Sequence, residues 1–371
     1  VRVLVAPDSF GGTLSAPEAA RAIIEGWRRH APDDVLTAAA MADGGPGLVD
    51  VLHAATGGRL DVVTVRGPLG ADVPVTVLHA DGTAYVESAQ ACGLHLVEAK
   101  DPLHASTYGV GQAVAAAVDA GASRVVVGLG GSATNDGGAG LLAALGATAD
   151  VPLDAGPAAL AHVGSVDVAP AVERLRAVEL VVAADVDVTL LGMFGATKTF
   201  GPQKGLTDAQ VVEVDGWLDR FVVAVCGPSP AQRRPADAKG AGAAGGLGFA
   251  LMVLGGTVVS GIELVAETVG LTAEAGAHDL VVTGEGTYDF SSRAGKVVHG
   301  VAAVAAAAAR PCIVLAGQVL VGSREMRAMG VESAYGVTER VTVEESMGEP
   351  ARHLADLAER VARTWSPRPL G

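Results

Sequence analysis

The sequence predicts an α/β fold, a doubly wound parallel sheet with a second α/β domain inserted into it. Three observations carry that expectation. Short apolar runs alternate with amphipathic stretches of helical spacing along most of the 371 residues. Polar, glycine-rich loops follow the apolar runs, which is where open α/β sheets bind ligands. At roughly 100–200 residues per domain, the length points to two domains.

Taken in order, "VRVLVAPDSF" (1–10) is a buried strand entering a polar loop. "LSAPEAARAIIEGWRRH" is a helix: Ser15 and Glu18 form a capping box, and Pro17 suits an early helical position. Its apolar stripe is Ala20, Ile23, Ile24 and Trp27. "DVLTAAAMADGG" (34–45) is a second strand ending in an Asp-Gly loop, and "GLVDVLHAAT" a second helix. Residues 60–90 hold three short strands separated by turns, an antiparallel meander. A helix near 106–120, a strand in "RVVVGLGG", a helix near 137–147 and the strand "ELVVAADV" (179–186) follow. "GATKTFGPQKG" (195–205) reads as an irregular loop, 207–226 as a helix, 229–246 as a polar connection and "GGLGFALMVLGG" as a buried helix. The last run alternates the strands "DLVVTGEG" (279–286), "CIVLAGQV" and "SAYGVT" with helices, the longer ones near 297–309 and 348–364. Pairing the first two strands with the last three makes five parallel strands. The expected domains are 1–65 with 279–371, and 66–278 inserted between them, with a ligand site in the cleft between the two.

Composition narrows the function. A net charge of -15 argues against nucleic acid and anionic membranes as partners. The longest apolar runs, such as "VAAVAAAAA" (301–309), are too short to span a bilayer. The sequence as given opens with no charged-then-apolar leader, so a cytoplasmic protein is expected. Cys92, Cys226 and Cys312 lie far apart and suggest neither a disulfide framework nor a zinc site. Fifty glycines, about 13% against the usual ~7%, sit in discrete loops.

The most informative loop is "GLGGSATNDGGAG" (128–140). Gly130 and Gly131 allow close approach to the backbone, amides before a helix attract anions, and Ser132, Thr134, Asn135 and Asp136 add polar groups and one carboxylate. It is neither a lysine-bearing nucleotide loop nor a GxGxxG loop. A tight, capped strand-to-helix turn is the alternative. Four further places gather similar chemistry: Asp8-Ser9, Asp43-Gly44-Gly45, Asp185 with Asp187, and Glu285 with Asp289. Lys204 and Lys296, each beside glycine, stand out in a lysine-poor chain. Together they suggest carboxylates for Mg²⁺ and a base, with amides and lysines for phosphate, as phosphoryl transfer requires. The plainer readings are a turn cap for Asp8, a turn residue for Asp43, amide satisfaction for Glu285 and a surface lysine for Lys204. His79, His95 and His104 are read as structural, and Ser132 lacks the elbow of a serine hydrolase.

"APDSF..TLSA", "MADGG.G", "GLGGSATNDGGAG", "FGPQKG", "GAGAAGGLGF", "SGIELV" and "TGEG..D......GK" occur in that order across nearly the whole chain. Together they resemble the bacterial glycerate kinase family of the two-domain α/β type, related to glycerate 2-kinases. The resemblance implies ATP- and Mg²⁺-dependent phosphorylation of a hydroxyl on glycerate or a related small hydroxy acid. It also implies a flavodoxin-like doubly wound parallel sheet domain with a second α/β domain inserted. The expected catalytic residues are Asp43, Asp185, Lys204 and Glu285, with Asp185 and Glu285 toward the metal. Asp8, Ser9, Gly44, Gly45, Gly130, Gly131, Ser132, Thr134, Asn135, Asp136, Asp289 and Lys296 are expected to bind substrate or phosphate. The partners are a small hydroxy acid and a nucleotide, with a homodimer left open.

The sequence departs from the family's usual blocks at loops expected to face ligand. Gly11 replaces a lysine, Pro46 an acid, Val188 and Thr189 an Asn-Pro pair, Thr287 an arginine and Ser291 a glutamine. Threonine cannot make arginine's bidentate bond to a carboxylate or phosphate. Glycerate is therefore expected to be a poor substrate, the true acceptor being less acidic, larger or differently placed. A member turned to another reaction, or a non-catalytic binding protein, are the alternatives.

Overall fold

The structure, a computed structural model, describes residues 1–290 and 296–367. The chain divides into two units, one of 1–43, 50–57 and 262–371, the other of 44–49 and 58–261.

In the first unit five strands run parallel in the spatial order Ser333–Gly336, Cys312–Ala316, Leu280–Thr283, Arg2–Val5, Val35–Ala38. Numbered along the chain, this is the order 5-4-3-1-2, that of flavodoxin-like sheets. The central strands are largely apolar because helices cover both faces of such sheets: all five residues of Cys312–Ala316 and all four of Leu280–Thr283 are buried. The helix Ala16–His30 begins at Ser15 with the capping box to Glu18. Ala20, Ile23 and Trp27 are buried in one core with Leu280, Val282 and Ile313, and with Leu354 and Leu357 of the helix Pro350–Trp365; Ile24 is half-buried against it.

The second unit is built on a mixed six-stranded sheet. Arg59–Arg66, Asp72–Ala80 and Thr83–Glu87 form the antiparallel meander. Thr83–Glu87 then pairs in parallel with Arg124–Gly128, which pairs with Glu179–Ala183, which pairs with Thr257–Val259. Arg59–Arg66, which the expected limits attach to the other domain, bonds along its whole length to Asp72–Ala80 and so lies with its hairpin partner. The three-residue strand Thr257–Val259 is too short to show in a hydrophobic pattern.

Residues 195–205 are not irregular. They hold the α-helix Ala196–Lys204, closed by Gly205 at φ 105. Its buried positions are Ala196, Thr197, Gly201 and Lys204, none of them a large apolar residue, so no periodicity signals the helix. Pro202 removes one backbone bond near the helix end, and burial of that face outweighs the loss. The following helix, Asp208–Cys226, starts on a second capping box, Thr207 with Gln210. Among the described residues, no helix is long and apolar enough to cross a membrane.

Candidate active site

Strands that run parallel deliver their C-terminal residues to one edge of the sheet. In the mixed-sheet unit that edge carries, strand by strand, Glu87, the loop after Gly128, Asp185, and Ser260 with Gly261. Asp185 Oδ1 accepts from Ser260 Oγ at 2.7 Å and from the Gly261 amide at 3.1 Å, tying neighbouring strand ends together. Asp187 is exposed and pairs with Lys239 at 2.7 Å. Gly44 and Gly45 are buried in the same unit, beside the exposed Pro46.

The loop between the strand Arg124–Gly128 and the helix Ala139–Ala144 holds Ser132, Thr134, Asn135 and Asp136, all buried. Its polar groups divide into two sets. Asp136 is spent on the fold. Its Oδ2 accepts from the Thr107 amide (2.8 Å), Thr107 Oγ1 (2.9 Å) and the Gly140 amide (3.2 Å), and its Oδ1 from the Gly138 amide (3.0 Å). Burial pushes its carboxyl above the ordinary range, against four donated bonds that favour the anion. The sequence expected Asp136 to bind substrate or phosphate; in the structure it clamps the start of a helix. The other set is open. The amides of Gly130, Gly131 and Ser132 donate to no described residue. Asn135 gives its Nδ2 to Thr197 Oγ1 at 2.9 Å, while its buried Oδ1 has no partner among the described residues.

Lys204 is no surface lysine. It is 2% exposed, and its Nζ donates to Ser132 Oγ (3.1 Å) and to the Thr134 carbonyl (2.6 Å). Burial lowers its pKa to about 8, with Cys92 and Asp136 pulling the other way. It reaches the loop from beneath, through the helix that the sequence concealed. From the other side the Gly245 carbonyl accepts the Gly137 amide at 3.0 Å. A Cβ on Gly245 would lie 2.0 Å from the Thr134 oxygen, so only glycine permits this approach.

The parallel-sheet unit presents a different edge. Leu280–Thr283, Arg2–Val5 and Val35–Ala38 are adjacent, and Glu285, Asp8 and Asp43 follow them in that spatial order. The strand ends are stitched by the Asp8 amide to the Gly284 carbonyl (2.8 Å) and the Met41 amide to the Pro7 carbonyl (2.9 Å). Burial raises the Asp8 pKa to about 7; the charges of Asp43 and Glu285 add to the rise, and the Ser9 amide, 2.6 Å from Oδ1, opposes it. Glu285 is buried, and Asp289 is half-buried. Lys296 precedes the helix Val297–Ala307 as its cap residue. Gly11 and Thr287 are exposed, and Ser291 lies outside the described residues.

Sequence reasoning missed Glu87 and Thr107. Glu87 is buried and accepts the amides of Gly47 (3.1 Å) and Val49 (3.4 Å). An acid closing the otherwise apolar run "TAYVE" was the signal. Thr107 carries no signal of its own, since its role is set by Asp136, 29 residues away.

The glycerate kinase family pattern matches residues 3–366. The chain is 40% identical over 372 residues to a glycerate kinase of Bacillus subtilis, covering 98% of this chain and 96% of that one. It is 41% identical over 369 residues to an uncharacterized protein of Mycobacterium tuberculosis, covering 98% and 91%. A crystal structure from Salmonella typhimurium LT2, assigned to glycerate kinase 2, superimposes with a TM-score of 0.82 at 36% identity, covering 98% of each chain.

Proposed function

The chain belongs to the glycerate kinase family and is a kinase-type phosphotransferase, and we propose that it transfers the terminal phosphoryl group of ATP to a hydroxyl of glycerate or a related small hydroxy acid. The observation that carries this reading is the loop 130–136, where three amides and the Asn135 oxygen have no partner among the described residues and a buried lysine bonds to the loop. Amides that are free and held in place suit phosphate oxygens, because they need no reorganisation as charge develops. Lys204 acts through the loop: it fixes the Ser132 hydroxyl and the Thr134 carbonyl and adds positive charge beneath the amides.

In the transfer, a bond forms between the acceptor oxygen and phosphorus, and the bond from phosphorus to the bridging oxygen of the nucleotide breaks. The acceptor hydroxyl must lose a proton. Asp8 suits that task, since a carboxyl with a pKa of about 7 is a competent base near neutral pH. Burial, and after it the charges of Asp43 and Glu285, keep its pKa there. Bound Mg²⁺ supplies charge neutralisation at the phosphate oxygens. The residues fit such an ion: the crowded carboxylates are hard oxygen donors whose repulsion a cation relieves, and Mg²⁺ takes only one or two carboxylates beside phosphate oxygens. Glu285 would be a ligand in the parallel-sheet unit; Asp185, which the sequence also assigned to the metal, belongs to the other unit, where its Oδ1 accepts from Ser260 and Gly261. Among the described residues, no group of three or more His, Cys, Asp or Glu is arranged as a protein-only metal site.

The test is incubation of the purified protein with ATP, Mg²⁺ and a panel of small hydroxy acids, read by mass spectrometry. A phosphorylated acid that appears only with ATP and Mg²⁺ is the expected result. ATP left intact with every acid in the panel would refute the proposal.

A further inference from the structure

The parallel-sheet unit contains a pocket of about 210 Å³ beside the carboxylate edge. Its walls include the apolar side chains Phe10, Val337, Met347 and Leu354, with Thr287 at its rim. No lysine, arginine or histidine is among the described residues that line it. Phe10 lies two residues after Asp8, and Gly286 immediately follows Glu285, so the pocket opens off the same strand-end loops. Those loops are firmly held. The Gly317 amide donates to the Glu285 carbonyl at 3.2 Å and the Gln318 amide to the Gly286 carbonyl at 2.9 Å.

We propose that this pocket is a subsite for an apolar substituent of the acceptor, so that the chain prefers hydroxy acids bearing an alkyl or aryl group over glycerate. The inference rests on the kinase reading above and adds the substrate class. Three physical points support it. A carboxylate placed against these walls meets no cation among the described lining residues, and loses hydration without compensation from them. The volume lies below the ~300–1,000 Å³ of pockets that hold whole ligands, so it suits a side group. Gly11 and Thr287, both on the pocket wall, bring no charge to it.

Isothermal titration calorimetry tests this with D-glycerate and homologues carrying methyl, propyl or phenyl on C3. The expected Kd falls about fourfold per buried methylene, and at least tenfold from glycerate to the propyl homologue. Thr287→Arg is expected to reverse the order and favour glycerate. If Thr287→Arg does not fold, as judged by circular dichroism, Ser346→Phe replaces it. Filling the pocket should then abolish the propyl preference. A Kd that is flat or rises along the series, no measurable binding of any homologue, or a variant that leaves the order unchanged overturns the subsite. Phosphoryl transfer is read separately by mass spectrometry. Turnover with a flat series removes the subsite and leaves the kinase reading, while a Kd that falls along the series without turnover does the reverse.

Discussion

The two polar edges of this molecule handle charge in opposite ways. In the mixed-sheet unit, Asp136 receives four donated bonds and Lys204 two acceptors, so local hydrogen bonds oppose the burial cost of both groups. In the parallel-sheet unit, burial raises the pKa of Asp8, and the like charges of Asp43 and Glu285 on the same edge add to the rise instead of relieving it. The first edge is finished by the fold and offers amides to an anion. The second stays under repulsion that a cation or a proton removes. A preorganised site needs the first kind of edge, and a site that binds metal or moves a proton needs the second.

The largest test of the contrast is Asp136→Ala. It leaves three buried amides and the Thr107 hydroxyl without their acceptor. Loss of one partner of a buried charged network typically costs about 3–5 kcal/mol. Urea denaturation should show a loss of that size, and a loss below ~1 kcal/mol would mean that the clamp is dispensable.

Asp8→Asn should do the opposite. The Asp8 pKa is raised to about 7, so the neutral form is the stable one in the fold. Its contribution is fully present below the ordinary carboxyl range near pH 4 and is lost as pH rises through 7. The variant should match the native protein near pH 4 and be more stable by roughly 4 kcal/mol at pH 8. Mg²⁺ should raise the melting temperature of the native protein at pH 8 more than at pH 5. A stability difference that does not change with pH would place the strain elsewhere.

Lys204→Met separates charge from packing. A lysine pKa lowered to about 8 means that the fold disfavours the charged form, a cost that sets in as pH falls through the ordinary lysine range toward 8 and is full below it. Replacement by an apolar side chain of similar length should therefore hold or raise stability at pH 6. Nucleotide affinity should fall about tenfold, equivalent to ~1.4 kcal/mol. In the native protein that affinity should weaken above pH 8 as Lys204 loses its proton, and in the variant it should not. Equal pH profiles for the two proteins would show that Lys204 supplies no charge to the loop.

Thr197→Val is the smallest change. It removes the acceptor of the Asn135 Nδ2 bond and should cost about 1 kcal/mol in stability. Nucleotide binding should weaken only slightly, because the loop amides remain.

The sequence by itself determined the strands of both sheets that are long enough to read, the capped first helix and the glycine-rich loop after Gly128. Each of these is a local matter: an apolar run, a cap spacing, a cluster of glycines. It also placed Asp8, Asp43, Asp185 and Glu285 at strand ends, because parallel strands share an edge. Tertiary structure alone decided what those groups do. The buried face of Ala196–Lys204 has no large apolar residue, so its helix exists through contacts that no window of sequence contains. Lys204 is buried because its acceptors lie 70 and 72 residues earlier, and Asp136 is compensated by Thr107, 29 residues before it. Charge compensation depends on distances through space, and the register that sets those distances is written in the packing of both sheets.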